Sequence, residues 1–195
     1  MSNVTLKTLR DVEALRIAGQ KAAETLLGVG PLIKPGITTD DIDAFVRADT
    51  KRLGGICAPL NYKGFPKSVC TSINEVVCHG IPTTKHVLKD GDIINVDVTT
   101  LFNGYHGDTS ATFYVGKPSP AALKVTEVAR TCLDLAIAEV RERSWLLHRQ
   151  IRAQAPHGEV FGRVLDLDEE GHLLLELADG SVQTLASADH VRAVH

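Results

Sequence analysis

The chain has 195 residues, of which 44% are hydrophobic and 23% are charged, as is typical of globular proteins. Its formal net charge of -3 argues against nucleic-acid binding, and no apolar run is long enough to cross a membrane. The first residues, MSNVTLKTLRD, lack the apolar segment of a secretory signal, and the four cysteines form no CxxC pair. We therefore expect a cytoplasmic protein with reduced thiols and without nucleic-acid or membrane partners.

Two helices are predicted near the start of the chain. Apolar residues recur with a period near 3.6 in residues 8–33. A second helix is expected over residues 38–53, where a threonine cap precedes Asp40 and Asp41 in the first turn. Both helices are expected to cover a sheet.

The next segment predicts short strands mixed with loops. Two strand candidates, residues 67–72 and 75–79, flank a turn. His79 ends the second candidate in the sequence VCHGIP, and a single histidine near a strand end is most often structural or exposed. Cys70 and Cys78 lack metal-ligand spacing and are interpreted as small core residues.

The sequence IINVDVTTLFNGYHGDTSATF, residues 93–113, predicts a β-hairpin. Its central Asn-Gly dipeptide suits a type I′ turn, which needs two residues that tolerate a positive φ. With this turn Thr99 lies opposite Asp108, and side chains alternate between the two faces of the hairpin. One face then carries short polar side chains: Asn95, Asp97, Thr99, His106, Asp108, Ser110 and Thr112.

Asp97 and Asp108 are predicted to be diagonal neighbours on this polar face, about 7–8 Å apart at the backbone. Two acids at this spacing repel each other unless a cation lies between them or one is protonated. Such an oxygen-rich site can hold two ions about 3.5–4 Å apart. A hairpin with one solvated face explains the same alternation, although the face holds no Lys, Arg or Glu. The spacing leaves both interpretations open.

A third helix and a β-rich segment complete the predicted α+β chain. Residues 121–141 show helical periodicity, with these residues expected to be buried: Leu123, Val125, Val128, Ala129, Cys132, Leu135, Ala136 and Val140. From Trp145 onwards, short alternating runs are separated by turn residues. This pattern is typical of a small antiparallel barrel or meander.

Residues 9–141 resemble the N-terminal half of type I methionine aminopeptidases. The resemblance rests on the motifs KPGITTDDID, NYKGFPKSVCTSINEVVCHGIP and LKDGDIINVDVTTLFNGYHGDTSATFYVGKPS. It implies half of a pita-bread fold, an antiparallel sheet covered by helices. It also implies that Asp97 and Asp108 are metal ligands and that His79 is a catalytic residue beside the substrate amine. The pocket for the substrate side chain is implied at Tyr62, Phe65 and Cys70.

The chain departs from that family after about residue 142. The histidine and glutamate ligands that the family's second half contributes do not occur there. Instead, the sequence GRVLDLDEEGHLLLELADGSV resembles the SH3-like C-terminal module of biotin protein ligases. The sequence therefore predicts an aminopeptidase-like half over residues 1–143 and a small SH3-like β-barrel over residues 144–195.

Two functional hypotheses are compatible with these features. The first is a metalloaminopeptidase that removes methionine from the N-terminus of a peptide or nascent chain, with Co, Mn, Fe or Zn as its divalent metal. Its metal site is incomplete, so weak or no activity is expected from the chain alone. The second is a non-catalytic fusion or chimeric scaffold of the two segments. The metal face is expected to be covered by a two-fold homodimer, or alternatively by the barrel within a monomer.

Overall fold

A computed structural model describes residues 7–168, 171–185 and 189–194. The described residues form helices α1 (Leu9–Val29), α2 (Thr39–Arg52) and α3 (Pro120–Glu142) and strands β1 (Ile56–Cys57), β2 (Cys70–Ile73), β3 (Ile93–Phe102), β4 (Tyr105–Tyr114), β5 (Gln150–Ala155), β6 (Gly158–Leu167), β7 (Leu173–Glu176), β8 (Val182–Leu185) and β9 (Asp189–Ala193). Short 3-10 helices lie at Gly30–Leu32 and Tyr62–Gly64. The predicted α+β class is confirmed.

The chain divides into two compact units. The first is Glu13–Glu127, and the second contains the described residues before and after that range. This division falls within helix α3. The boundary predicted at residues 143/144 was placed where the sequence resemblance changes. That domain boundary stays a prediction.

Strand β3 is the centre of the sheet in the first unit. It pairs antiparallel with β4 along one edge and with β1 and β2 along the other. Its side chains alternate, so that Ile94, Val96 and Val98 are fully buried while the residues between them are half-buried. A core forms between this buried face and helices α1 and α2, with these buried members among others: Ala22, Leu26, Val29, Ile42 and Val46.

A close backbone contact fixes the distance between α1 and the hairpin. A Cβ placed on Gly107 of strand β4 would lie 2.1 Å from the carbonyl oxygen of Ala18 in helix α1. No side chain fits that gap, so glycine is required at this position. Gly107 precedes Asp108 in strand β4, so this contact fixes the distance between the backbone of Asp108 and helix α1.

Helix α2 carries a buried acid that anchors the segment entering β2. Asp43 is 4% exposed and accepts a hydrogen bond from the backbone N–H of Ser68 at 2.5 Å. Arg47 and Lys67 lie 3.7 and 3.9 Å from its carboxylate, so the buried charge is compensated. Thr38 caps the start of this helix, which confirms the predicted threonine cap, and its cap is a capping box with Asp41.

Helix α3 forms where predicted, but the prediction of a buried apolar face is wrong. None of its residues is buried, and Val140 and Leu135 are 70% and 65% exposed. Periodicity identifies an apolar face but not the surface that it packs on, and no described residue buries this one. In the described part of the chain, no helix is long and apolar enough to cross a membrane.

The second unit contains a five-stranded antiparallel sheet in the order β8-β7-β6-β5-β9. Its core consists of Ile151, Ala153, Ala155, Val164, Leu175 and Leu185. The antiparallel prediction is confirmed, but among the described residues the sheet is open and not closed into a barrel. Closure into a barrel would need the two edge strands, β8 and β9, to pair with each other. Strand β8 has only one buried residue, Leu185, among its four, so it contributes little to the core.

Candidate active site

The β3–β4 hairpin forms with the predicted turn and register. Asn103 and Gly104 have φ values of 49° and 86°, as a type I′ turn requires. Thr99 pairs directly with Asp108 across the hairpin. Asp97 lies two positions before Thr99 on the same face, so the two carboxylates are diagonal neighbours.

Asp97 and Asp108 interact directly. Burial raises the pKa of Asp97 above its ordinary value, and both the charge of Asp108 and a hydrogen bond between the two carboxyl groups raise it further. The charged form of His79 acts in the opposite direction. Acids this close are stabilised either by a shared proton or by a cation.

His79 reaches the site from a loop. Residues 75–79 do not form the predicted strand, because Asn74 and His79 both adopt a left-handed backbone, with φ of 49° and 53°. The following residue, Gly80, lies against β2 and accepts a hydrogen bond from the backbone N–H of Thr71 at 2.8 Å. A Cβ on Gly80 would lie 2.0 Å from the carbonyl oxygen of Thr71. A glycine after the histidine is therefore needed to bring His79 to the carboxylates.

A cavity of about 910 Å³ brings all six predicted site residues together. Its lining includes Tyr62, Phe65, Cys70, His79, Asp97 and Asp108. The size is within the range of small-molecule and peptide sites in proteins. Tyr62 is 64% exposed, so this wall of the cavity is open to solvent.

Cys70 forms part of the cavity floor. It pairs with Asp97 in the β2–β3 ladder and is buried. Burial, followed by the nearby charge of Asp97, raises the pKa of Cys70 to about 11. The thiol is therefore neutral at pH 7 and acts as a small apolar surface rather than a nucleophile. Cys78 is exposed, so the prediction that it is a core residue is wrong.

Sequence reasoning assigned no role to several other lining residues. Lys63 and Ile81 line the cavity, and His106 does so from the predicted polar face of the hairpin. The position of Ile81 at the site could have been predicted from the sequence, because Ile81 follows His79 by two residues in HGIP. No sequence feature predicted the position of Lys63, since its left-handed backbone, with φ of 47°, is a property of the folded loop.

Residues 13–164 match Metallopeptidase family M24. The chain belongs to this family. A shorter stretch, residues 147–189, matches the Biotin protein ligase C terminal domain, which gives weak support to the predicted C-terminal resemblance.

Several relatives of this M24 chain are methionine aminopeptidases. It is 54% identical over 138 residues to Methionine aminopeptidase A of Synechocystis sp., covering 71% of this chain and 54% of the relative. It is 45% identical over 139 residues to Methionine aminopeptidase of Escherichia coli K12, covering 71% of this chain and 53% of the relative. The chain thus spans about half the length of these relatives, and its predicted resemblance to their family is confirmed.

Solved structures of aminopeptidases share the fold. Methionine aminopeptidase from Rickettsia prowazekii aligns with a TM-score of 0.67 at 28% identity, covering 97% of this chain and 93% of that chain. X-Pro aminopeptidase from Thermotoga maritima MSB8 aligns with a TM-score of 0.58 at 17% identity, covering 75% of this chain and 38% of that chain, and shows the fold alone. These structural neighbours have the pita-bread fold.

Membership of the M24 metallopeptidases implies a divalent metal cofactor. The donor chemistry of Asp97 and Asp108 fits such an ion, because carboxylate oxygens are the ligands that hard divalent cations prefer and a cation would offset the repulsion that raises the pKa of Asp97. Among the described residues, however, no group of three or more His, Cys, Asp or Glu side chains is placed to hold a metal. Asp97 and Asp108 are therefore two carboxylates of the hairpin that could contribute to holding such an ion.

Proposed function

We propose that this chain is a methionine-aminopeptidase-like unit that binds the N-terminus of a peptide or nascent chain at a divalent metal. The observation that carries this proposal is the meeting of Asp97, Asp108 and His79 in one cavity. The similarity to relatives named methionine aminopeptidase supports the choice of substrate.

In this proposal Asp97 and Asp108 hold the ion, which is Co, Mn, Fe or Zn. When bound, the ion supplies Lewis acidity and activates a water molecule for hydrolysis. The carboxylates contribute the negative charge that balances it, and the partial burial of Asp97 on β3 reduces competition from bulk water. Both acids stand on paired strands, so their backbone positions are fixed before metal binds.

His79 and the cavity wall would act on the peptide itself. The imidazole of His79 can position or protonate the reacting amide, because its ring nitrogens can donate or accept a hydrogen bond. Tyr62, Phe65 and the neutral thiol of Cys70 offer an apolar surface to the flexible thioether side chain of methionine.

The described residues supply too few ligands for a firmly held ion. We therefore expect the chain alone to hydrolyse a Met-Ala-Ser peptide at least about 100-fold more slowly than a full-length methionine aminopeptidase, because even partners that only orient metal ligands contribute 10–100-fold. The measurement is peptide turnover with added Mn²⁺ or Co²⁺, together with metal analysis of the purified chain. Turnover near the full-length rate that is abolished by Asp97→Ala would show that the missing ligands come from elsewhere.

The alternative proposal is a non-catalytic fusion or chimeric scaffold that joins the aminopeptidase-like half, residues 1–143, to a biotin-ligase-type module, residues 144–195. The match of residues 147–189 to the Biotin protein ligase C terminal domain favours it. A scaffold would show no metal-dependent turnover and no metal retained after purification. Metal analysis therefore separates it from a weak enzyme.

We further propose a two-fold homodimer that covers the metal face. Val77, two residues before His79 in the same loop, is 94% exposed, and Ile81, which lines the cavity, is 50% exposed. Exposed apolar side chains grouped at one place commonly mark an interface, and two-fold dimers are the commonest closed assemblies. We also propose a cytoplasmic location and a peptide partner, rather than a nucleic-acid or membrane partner.

Light scattering at micromolar concentration is expected to give twice the monomer mass. Val77→Asp should return the chain to a monomer, because it places a charge in the apolar contact. Leu27→Asp is the matched control, since Leu27 is 77% exposed on helix α1 and should leave the dimer intact. A monomer that persists with added Mn²⁺ contradicts the dimer and favours cover by the C-terminal module.

A further inference from the structure

Thr99 stands directly opposite Asp108 in the β3–β4 ladder and makes a specific contact with it. Its hydroxyl Oγ1 donates a hydrogen bond to Oδ1 of Asp108 at 2.9 Å. The hydroxyl is the donor in this bond and the carboxyl oxygen is the acceptor. Both residues line the cavity.

The contact restrains a carboxylate that is otherwise free to rotate. Asp108 is exposed, and the terminal torsion of an aspartate side chain is broad and roughly two-fold. A hydrogen bond to one oxygen selects one rotation of the carboxylate and still leaves further acceptor sites for a cation. The hydroxyl thus sets which way Asp108 presents its oxygens.

Thr99 is itself held firmly. Its χ1 angle is restricted because threonine is branched at Cβ. Its carbonyl oxygen accepts a hydrogen bond from the backbone N–H of Ala58 at 3.0 Å, and its strand β3 is paired on both edges. The donor therefore sits on the most constrained strand of the sheet.

We propose that Thr99 is a positioning residue that orients the carboxylate of Asp108 for a divalent cation. This inference rests on the proposed metal site at Asp97 and Asp108. The hydrogen-bonded partners of metal ligands typically contribute 10–100-fold to metal affinity. The hydroxyl of Thr99 should contribute on that scale without touching the ion.

The test is isothermal titration of the full chain with Mn²⁺ alone, together with the visible absorption spectrum of the Co²⁺-loaded chain. Thr99→Val removes the donor and keeps the shape and the branched Cβ, whereas Thr99→Ser keeps the donor. Thr112→Val is the matched control, because Thr112 lies on the same face of β4 but makes only a 3.5 Å contact with Asn95. Thermal unfolding without metal shows whether each variant is folded.

We expect Thr99→Val to weaken Mn²⁺ binding by about 10–100-fold and to change the Co²⁺ spectrum. Thr99→Ser and Thr112→Val should stay within about threefold of the unaltered chain, since neither loses the donor to Asp108. Equal affinity for Thr99→Val overturns the inference. An equal loss in Thr99→Val and Thr99→Ser also overturns it, because the hydroxyl that serine retains would then not preserve the affinity. Absence of Mn²⁺ binding by the unaltered chain overturns the metal site itself and the inference with it.

Discussion

Replacing Asp97 by asparagine is expected to weaken Mn²⁺ binding by more than about 100-fold, because it removes a charged ligand rather than a partner of one. The same substitution should raise the stability of the metal-free chain at pH 7. Asp97 is partly buried beside Asp108, so its ionised form is disfavoured in the folded state. Isothermal titration and chemical denaturation without metal measure the two effects.

The pH dependence of the unaltered chain follows from the same raised pKa. The folded state binds a proton at Asp97 more tightly than the unfolded chain does, so metal-free stability falls as pH rises from 3.8 through the raised pKa. Metal binding releases that proton, so Mn²⁺ affinity should rise over the same range. Asp97→Asn should remove both dependences.

Asp134→Asn is the control for the loss of a charge, because Asp134 is exposed on helix α3. It should change neither Mn²⁺ affinity nor metal-free stability by a measurable amount. If Asp97→Asn destabilised the metal-free chain, the repulsion between the two carboxylates would be refuted. If its Mn²⁺ affinity matched that of the unaltered chain, the ion would bind elsewhere.

Replacing Gly107 by alanine is expected to reduce the free energy of unfolding by about 3 kcal/mol or more, because the new methyl group overlaps the backbone of helix α1. The atoms that it would meet include the carbonyl oxygen of Ala18 at 2.1 Å and the backbone nitrogen of Gly19 at 2.5 Å. Neither atom belongs to a flexible side chain, so the helix and strand must separate. Urea denaturation followed by circular dichroism measures the change.

Gly19→Ala is the control on the helix side of the same contact, and it is expected to stabilise the chain. A Cβ on Gly19 meets nothing within 4 Å, and its position in helix α1 favours alanine. This variant should be more stable than the unaltered chain by about 0.5–1 kcal/mol. A Gly107→Ala chain as stable as the unaltered one would show that α1 and β4 do not approach as closely as described.

The hairpin was predictable from local sequence because every element of it is specified locally. The Asn-Gly turn sets the pairing, and the pairing sets which side chains share a face. The position of Asp97 and Asp108 as diagonal neighbours therefore follows without knowledge of the rest of the chain. The two N-terminal helices were predictable for a similar reason, since the apolar period of the first and the threonine cap of the second lie within each segment.

The location of His79 depended on tertiary structure. Its segment, VVCHGIP, favours a strand by composition, but the left-handed backbone of Asn74 and His79 turns it into a loop. That conformation is held by the contact of Gly80 with Thr71, residues that are not neighbours in the sequence. Only the resemblance to a known family indicated that His79 belongs to the site.

The sequence by itself therefore determined the class of fold, the hairpin and the two acids, because period, turn and cap residues act over a few positions. Tertiary structure alone decided that these acids share a cavity with His79 and Cys70, and that Thr99 holds Asp108. Among the described residues, it also decided that helix α3 has no buried face and that the last sheet is open. An apolar pattern indicates that one face of a helix or strand can be buried. Whether that face is buried depends on a second surface, which no local pattern specifies.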